Sequence, residues 1–197
     1  MNLAHRWLCR SGYWKKAVET YIVPWVLEGL DMGRNVLEVG PGPGVTTDLL
    51  RRRVEHLTCV EIDHALAHSL ARPMSGQNVT VVHQDATAMS FPEARFDGAL
   101  CFTMLHHVPT AAAQDRLLSE ARRVLCPGGV FVGLDGMDSP LFRLFHLGDE
   151  YTPIDPDTLA KRLQAAGFTD LAIEQGRRRF RFCAKRPKVW GLNTCAL

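Results

Sequence analysis

Three acids and a glycine-rich turn carry the chemistry this sequence can do. Val36-Leu37-Glu38-Val39 is a short apolar run with an acid near its end. It breaks into Gly40-Pro41-Gly42-Pro43-Gly44, and Thr46, Thr47 and Asp48 follow in what reads as a first helical turn. Glycine lets backbone approach a ligand with no Cβ in the way, and helix-opening N–H groups supply donors. Glu61 ends a second apolar run, Leu57-Thr58-Cys59-Val60, about 20 positions beyond the first glycine. That is where the ribose-hydroxyl acceptor of a nucleotide-binding βαβ unit falls. A third run, Val79 to His83, leads to Asp85. The ligand is therefore expected to be a nucleoside derivative.

Charge and spacing narrow the choice. The turn reads Gly40-x-Gly42-x-Gly44 and lacks the G-x-G-x-x-G spacing of dinucleotide sites. A Glu38 carboxylate facing a pyrophosphate would be repelled by ~4 kcal/mol for unit charges 4 Å apart at an effective dielectric near 20. The same carboxylate suits an ammonium and a sulfonium, both carried by S-adenosylmethionine (SAM). Neither a Tyr-x-x-x-Lys pair of the short-chain dehydrogenase kind nor the Lys-Ser/Thr of a P-loop is present.

These pieces resemble the class I SAM-dependent methyltransferases, nearest to a small-molecule subgroup that includes quinone-biosynthesis enzymes. The matching stretches are VLEVGPGPG (36–44), VEID (60–63), HQDATAMSFP (83–92), FDGALCFTMLHHV (96–108) and RRVLCPGGVFVGLD (122–135). Taken residue by residue, the resemblance implies that Glu38 and the Gly40, Pro41, Gly42 and Gly44 backbone face the methionine part of SAM. It implies that Glu61 accepts from the ribose and that Ile62 lies on the adenine. Asp85 would take the adenine amino group with Ala86 beside it, and Cys101 and Phe102 would lie near the sulfonium. Asp63 is the rival ribose acid, ranked lower because it falls beyond the apolar strand. The plainer alternative is that such acids bond the backbone of their own turns.

A sulfonium methyl is already activated, so a base is needed only when the acceptor must lose a proton. His106, His107 and His146 are the candidates, with His106 the first choice. No metal constellation is read, because adjacent His106 and His107 should point apart. The acceptor pocket is expected under a roof of Trp7, Tyr13, Trp14, Phe145 and the 141–151 segment, with His106, His146 and Tyr151 as its polar groups. The competing account is that these aromatics only pack the helices or form a dimer surface.

Positioning these groups requires alternating strands and helices, the pattern of a parallel sheet covered on both faces. The fold class expected is α/β, a Rossmann-like doubly wound sheet, mostly parallel, with an antiparallel C-terminal hairpin strand. Helices are expected over 45–53, 64–72 (stopping at Pro73), 110–125 and after Asp155-Pro156. Strands are expected near 36–39, 57–61, 79–83, 97–102, 130–135, 170–175 and 178–185. The chain, 197 residues long, is read as one domain. Its parts are an N-terminal helical segment (1–32), a SAM-binding core (33–135), a lid (136–155), and a C-terminal helix and hairpin (156–186).

A net charge of +2 does not argue for nucleic acid or membrane binding, neither is expected as a partner, and Arg177-Arg178-Arg179 reads as a solvated, edge-guarding hairpin. Cys59 and Cys101 fall in buried strands and read as reduced core residues. No run reaches the ~18 apolar residues of a spanning helix, and a cytoplasmic setting is expected. The function expected is methyl transfer to a small, largely apolar acceptor. The alternative is a SAM-binding regulatory or degenerate protein without methyl transfer. A third and weaker reading, an RNA or protein methyltransferase, lacks an Asn-Pro-Pro-aromatic signature after the fourth strand.

Overall fold

The computed structural model describes residue 7 and residues 11–188. A seven-stranded sheet runs in the order β3-β2-β1-β4-β5-β7-β6. The strands are β1 (Asn35–Val39), β2 (His56–Glu61), β3 (Val79–His83), β4 (Phe96–Phe102), β5 (Leu125–Gly136), β6 (Thr169–Gln175) and β7 (Arg179–Lys185). The first five pair in parallel, whereas β7 runs antiparallel to both β5 and β6. This is the expected Rossmann-like sheet with its antiparallel hairpin.

Side-chain alternation along the strands builds two apolar layers. One face of the sheet buries Leu37, Val39, Ala99, Phe131 and Phe182 against Leu117, Leu118, Leu159 and Leu163. The helical partners come from α5 (Ala111–Val124) and α7 (Pro156–Ala165). The other face buries Val36, Leu57, Cys59, Leu100 and Val132 with Val18, Ile22, Leu50 and Leu70. There the cover comes from the N-terminal helix, α3 (Val45–Leu50) and α4 (His64–Met74). Each buried side chain of this size is worth about 1.5–3 kcal/mol.

The N-terminal helix is α1 (Gly12–Ala17), a π-helical turn (Val18–Ile22) and α2 (Val23–Val26). Pro24 lies two residues beyond the end of that turn. A proline lacks the N–H and crowds the carbonyl four residues back, and the wider π spacing accommodates both effects. Val18, Ile22, Val26 and Leu30 recur every fourth residue; the first three are buried and Leu30 is half-buried. Trp25 Nε1–H donates to Glu174 (3.1 Å), and the Arg181 guanidinium lies over the same ring, pinning this helix to the hairpin.

Two boundaries differ from expectation. Pro73 sits inside the last turn of α4 instead of ending it. β5 starts at Leu125, ahead of the expected 130, and runs through Pro127-Gly128-Gly129, residue types that commonly end an element. A register shift between Phe96 and Gly98 absorbs the irregularity. Gly129 must be glycine-sized there, since a Cβ would come within 2.8 Å of the Asp97 carbonyl. After β5, α6 (Pro140–Phe145) is capped by Ser139. Its Leu141 and Leu144 are exposed, as is Leu147 beyond it. No helix among the described residues is long and apolar enough to cross a membrane.

Candidate active site

A cavity of about 830 Å³ opens at the C-terminal ends of β1, β2 and β4. β1 pairs with β2 on one side and β4 on the other, so the cavity lies where the strand order reverses, the switch point at which open α/β sheets bind ligands. Its floor is the turn after β1. Gly40 and Gly42 have φ of +66° and +54°, in the left-handed region that glycine enters without penalty. A Cβ built on Gly42 meets nothing within 4 Å, so bare backbone faces the cavity. Gly44 is different. With φ +85°, it would place a Cβ 2.3 Å from Leu70 Cδ1; it packs α3 onto α4 and is not on the wall.

Glu61, buried at the end of β2, lies on the wall. Its Oε2 accepts from the Gly42 N–H and its Oε1 from the Asp63 N–H, both at 3.0 Å. A carboxylate has about four acceptor positions, so these bonds orient it and leave capacity for a ligand. Asp85 lies on the same wall and accepts from the Thr87 N–H at 2.8 Å. Ile62 and Ala86 line the cavity beside them, and Phe102 lines it from β4. Asp63, also on the wall, caps α4 by accepting from the Leu66 N–H. Both principal acids thus bond turn backbone and face the cavity at once.

Glu38 does not reach the wall. Strand alternation turns it to the opposite face from Val39, beneath α3. There it accepts from the Thr46 and Thr47 hydroxyls, with the Cys59 thiol 3.4 Å away. Burial pushes its carboxyl above the ordinary glutamate range, and the two hydroxyls and the thiol pull it partly back. Cys101 is likewise off the wall: Phe102 faces the cavity, so its neighbour faces the other layer, buried. Cys59 and Cys101 are both free thiols, and burial pushes both upward.

The expected roof is only partly there. Trp14 lines the cavity with Val18 and Ile22, and the Arg179 guanidinium lies 5.3 Å from its ring. Tyr13 is 80% exposed, because neighbours on a helix point about 100° apart; Trp7 is 74% exposed. Gly148, Asp149 and Glu150 close the cavity from the far side. Phe145, His146 and Tyr151 stand behind that segment and are not on the wall. Phe145 packs on the His146 ring at 5.6 Å, and the Tyr151 ring stacks on His146 at 5.0 Å. The Tyr151 hydroxyl donates to Asp138.

The histidines also separate. They sit on a 3₁₀ turn (Leu105–His107), which steps about 120° per residue. His107 lines the cavity, while His106 is buried behind it. His106 is therefore misplaced for a direct role on a ligand in the cavity. Its Nδ1 is 2.5 Å from Asp135 Oδ1, and its Nε2 is 3.1 Å from His146 Nε2. The His106 and His107 rings nevertheless stay 4.2 Å apart, which corrects the expectation that they diverge. Burial lowers the His146 imidazole below its ordinary value.

The sequence pointed to no role for Thr46, Met104 or Asp135. Asp135 had a legible signal, as an acid ending a strand like Glu61. Thr103 had none. It lines the cavity with φ +49°, a costly conformation for a β-branched residue, on the order of 1–3 kcal/mol.

The cavity fits SAM: exposed loop backbone, acceptor-only carboxylates for hydroxyl and amino groups, and apolar surface between them. Comparison with known proteins agrees. A methyltransferase-domain family profile matches residues 37–133. A ubiquinone biosynthesis O-methyltransferase from Pseudomonas aeruginosa is 27% identical over 156 residues, covering 76% of this chain and 66% of the relative. A probable S-adenosylmethionine-dependent methyltransferase from Mycolicibacterium smegmatis is 31% identical, covering 86% and 61%. The chain thus spans just under two thirds of the length of these relatives. A SAM-dependent methyltransferase from Aquifex aeolicus superposes with TM-score 0.74 at 16% identity, covering 94% of this chain and 99% of that one, a likeness of fold. The methyltransferase-domain match and these relatives support a class I SAM-dependent methyltransferase with S-adenosylmethionine as its cofactor.

Proposed function

We propose that the protein transfers the SAM methyl group to a small, largely apolar acceptor that presents a hydroxyl oxygen. The observation that carries this reading is the extent of the cavity. It continues from Glu61 and Asp85 past Phe102 to Trp14, Val18, Ile22, Met104 and Val108. A nucleoside site alone would need no such apolar extension. The relatives named for O-methylation in ubiquinone biosynthesis favour an oxygen acceptor on an apolar body.

In this reading Glu61 accepts from the ribose hydroxyls, Asp85 from the adenine amino group, and Ile62 and Ala86 sandwich the base edge. The Gly40–Gly42 backbone holds the methionine end. The chain then aligns donor and acceptor for in-line attack and excludes water, through proximity and desolvation. His107 is the histidine on the cavity wall, at the acceptor end.

Methyl-labelled SAM offered with a panel of hydroxylated aromatics bearing apolar tails tests this. Label should move to at least one acceptor with stoichiometric release of S-adenosylhomocysteine. Trp14→Ala should keep S-adenosylhomocysteine affinity and lower turnover. Tight S-adenosylhomocysteine binding with no transfer across the panel would instead favour a non-catalytic SAM-binding protein.

A further inference from the structure

Beside the cavity, three imidazoles meet with their polarity already arranged. His106 Nδ1 faces a carboxylate oxygen of Asp135 at 2.5 Å, and His146 Nδ1 faces the Phe142 carbonyl at 2.7 Å. His107 Nδ1 faces the Glu150 carbonyl at 3.2 Å. Carboxylate and carbonyl oxygens only accept, so each Nδ1 carries the hydrogen and donates it. In the neutral rings Nε2 is then the lone-pair nitrogen.

His106 Nε2 and His146 Nε2 are 3.1 Å apart. Two lone pairs at that distance repel, and the contact becomes favourable only with a cation between or beside them. A shared proton would need two nitrogens. Here one ring nitrogen from each of three histidines lies within 4.8 Å of the others. Two nitrogens at 2.0–2.1 Å from a tetrahedral zinc ion are about 3.3–3.4 Å apart, close to the 3.1 Å between His106 Nε2 and His146 Nε2; the wider limit of 4.8 Å for the full set means that ion binding draws the three rings together. Hard cations such as Mg²⁺ and Ca²⁺ require oxygen ligands, whereas an all-imidazole set suits Zn²⁺. Asp135 on the far nitrogen of His106 is the carboxylate–histidine arrangement that orients metal ligands.

We propose that His106, His107 and His146 form a binding site for a divalent transition-metal cation, zinc by ligand type, at the edge of the cavity. Three protein ligands leave one tetrahedral position for water or an oxygen of a bound molecule. Because His107 is part of the cavity wall, a hydroxyl-bearing acceptor is chemically suited to that position, where the cation would ease loss of its proton. The same site fastens the 140–150 segment to the end of β5 through His146 and Glu150. Metal binding is read without methyl transfer, so it stands or falls apart from the function proposed above.

The test uses the full chain without a histidine tag, stripped with a chelator and titrated with zinc chloride by calorimetry and against a chromophoric chelator. One equivalent should bind at micromolar or tighter affinity, and Co²⁺ should give the intense visible bands of a tetrahedral site. His146→Gln and, as a second variant at a less buried ring, His107→Gln should each weaken binding at least tenfold while circular dichroism shows the fold retained. Absence of stoichiometric binding would overturn the proposal. So would one-equivalent binding that both variants leave unchanged, since the ion would then sit elsewhere.

Discussion

Two buried glutamates at the ends of adjacent strands, Glu38 and Glu61, do different work. Glu61 faces the cavity and ties the glycine turn to β2 through the Gly42 N–H. Glu61→Ala should weaken S-adenosylhomocysteine binding by ~1–3 kcal/mol, the cost of losing a charged hydrogen-bond partner. Asp63→Ala should weaken it less and act on stability instead, by about 0.5–2 kcal/mol, because Asp63 caps α4. Calorimetry and urea melts on both variants separate the effects; the reverse order would reassign the ribose acid. Glu38 is sealed among hydroxyls. Its carboxyl is raised by burial, so the native state keeps the proton to higher pH than the unfolded chain. Its contribution to stability is thus fullest below the unfolded value and is lost as pH rises through the raised native value. Urea melts across pH should show wild type losing stability relative to Glu38→Gln on the alkaline side. A flat difference between the two would mean the carboxylate is already fully compensated by its donors.

At the scale of elements, the glycine turn divides into a ligand-facing half and a packing half. Gly42→Ala should leave the cooperative melt largely intact, costing about 1–2 kcal/mol for the left-handed conformation, and should reduce cofactor affinity by projecting a methyl into the cavity. Gly44→Ala carries the same conformational cost plus a collision with Leu70, so its loss should fall mainly on stability. Equal affinity losses with equal stabilities would contradict that division. Strands and helices of the core were legible because apolar runs and their breakers report burial directly. β5 was less so: its Pro-Gly-Gly start reads locally as a stop, and only pairing with β4 shows it to be strand. The N-terminal roof was partly legible. Val18 and Ile22 repeat at helical spacing, but sequence cannot tell which of Tyr13 and Trp14 turns inward. Nor can it say that a 3₁₀ turn sends His107 to the cavity and His106 to Asp135. For Glu38 and Cys101 the strand was legible, but the sheet face each side chain takes was not, since it depends on which neighbour reaches the end of the sheet.

At the scale of the molecule, the cavity lies at the sheet reversal, Glu61 and Asp85 line it, and the N-terminal helix and the 148–150 segment line the remainder. Trp25, Glu174 and Arg181 hold the N-terminal helix on the hairpin, so that Trp14 stays over the cavity mouth. The preference of this cavity is for a SAM-type nucleoside over a dinucleotide. It is tested most directly by thermal melts of the full chain with S-adenosylhomocysteine, NAD or ATP, each in large excess. A ligand that binds only the native state at 100 times its Kd adds about 2.7 kcal/mol to stability. S-adenosylhomocysteine should therefore raise the melting temperature by several degrees, with NAD and ATP without effect. Stabilisation by NAD with no response to S-adenosylhomocysteine would overturn that preference.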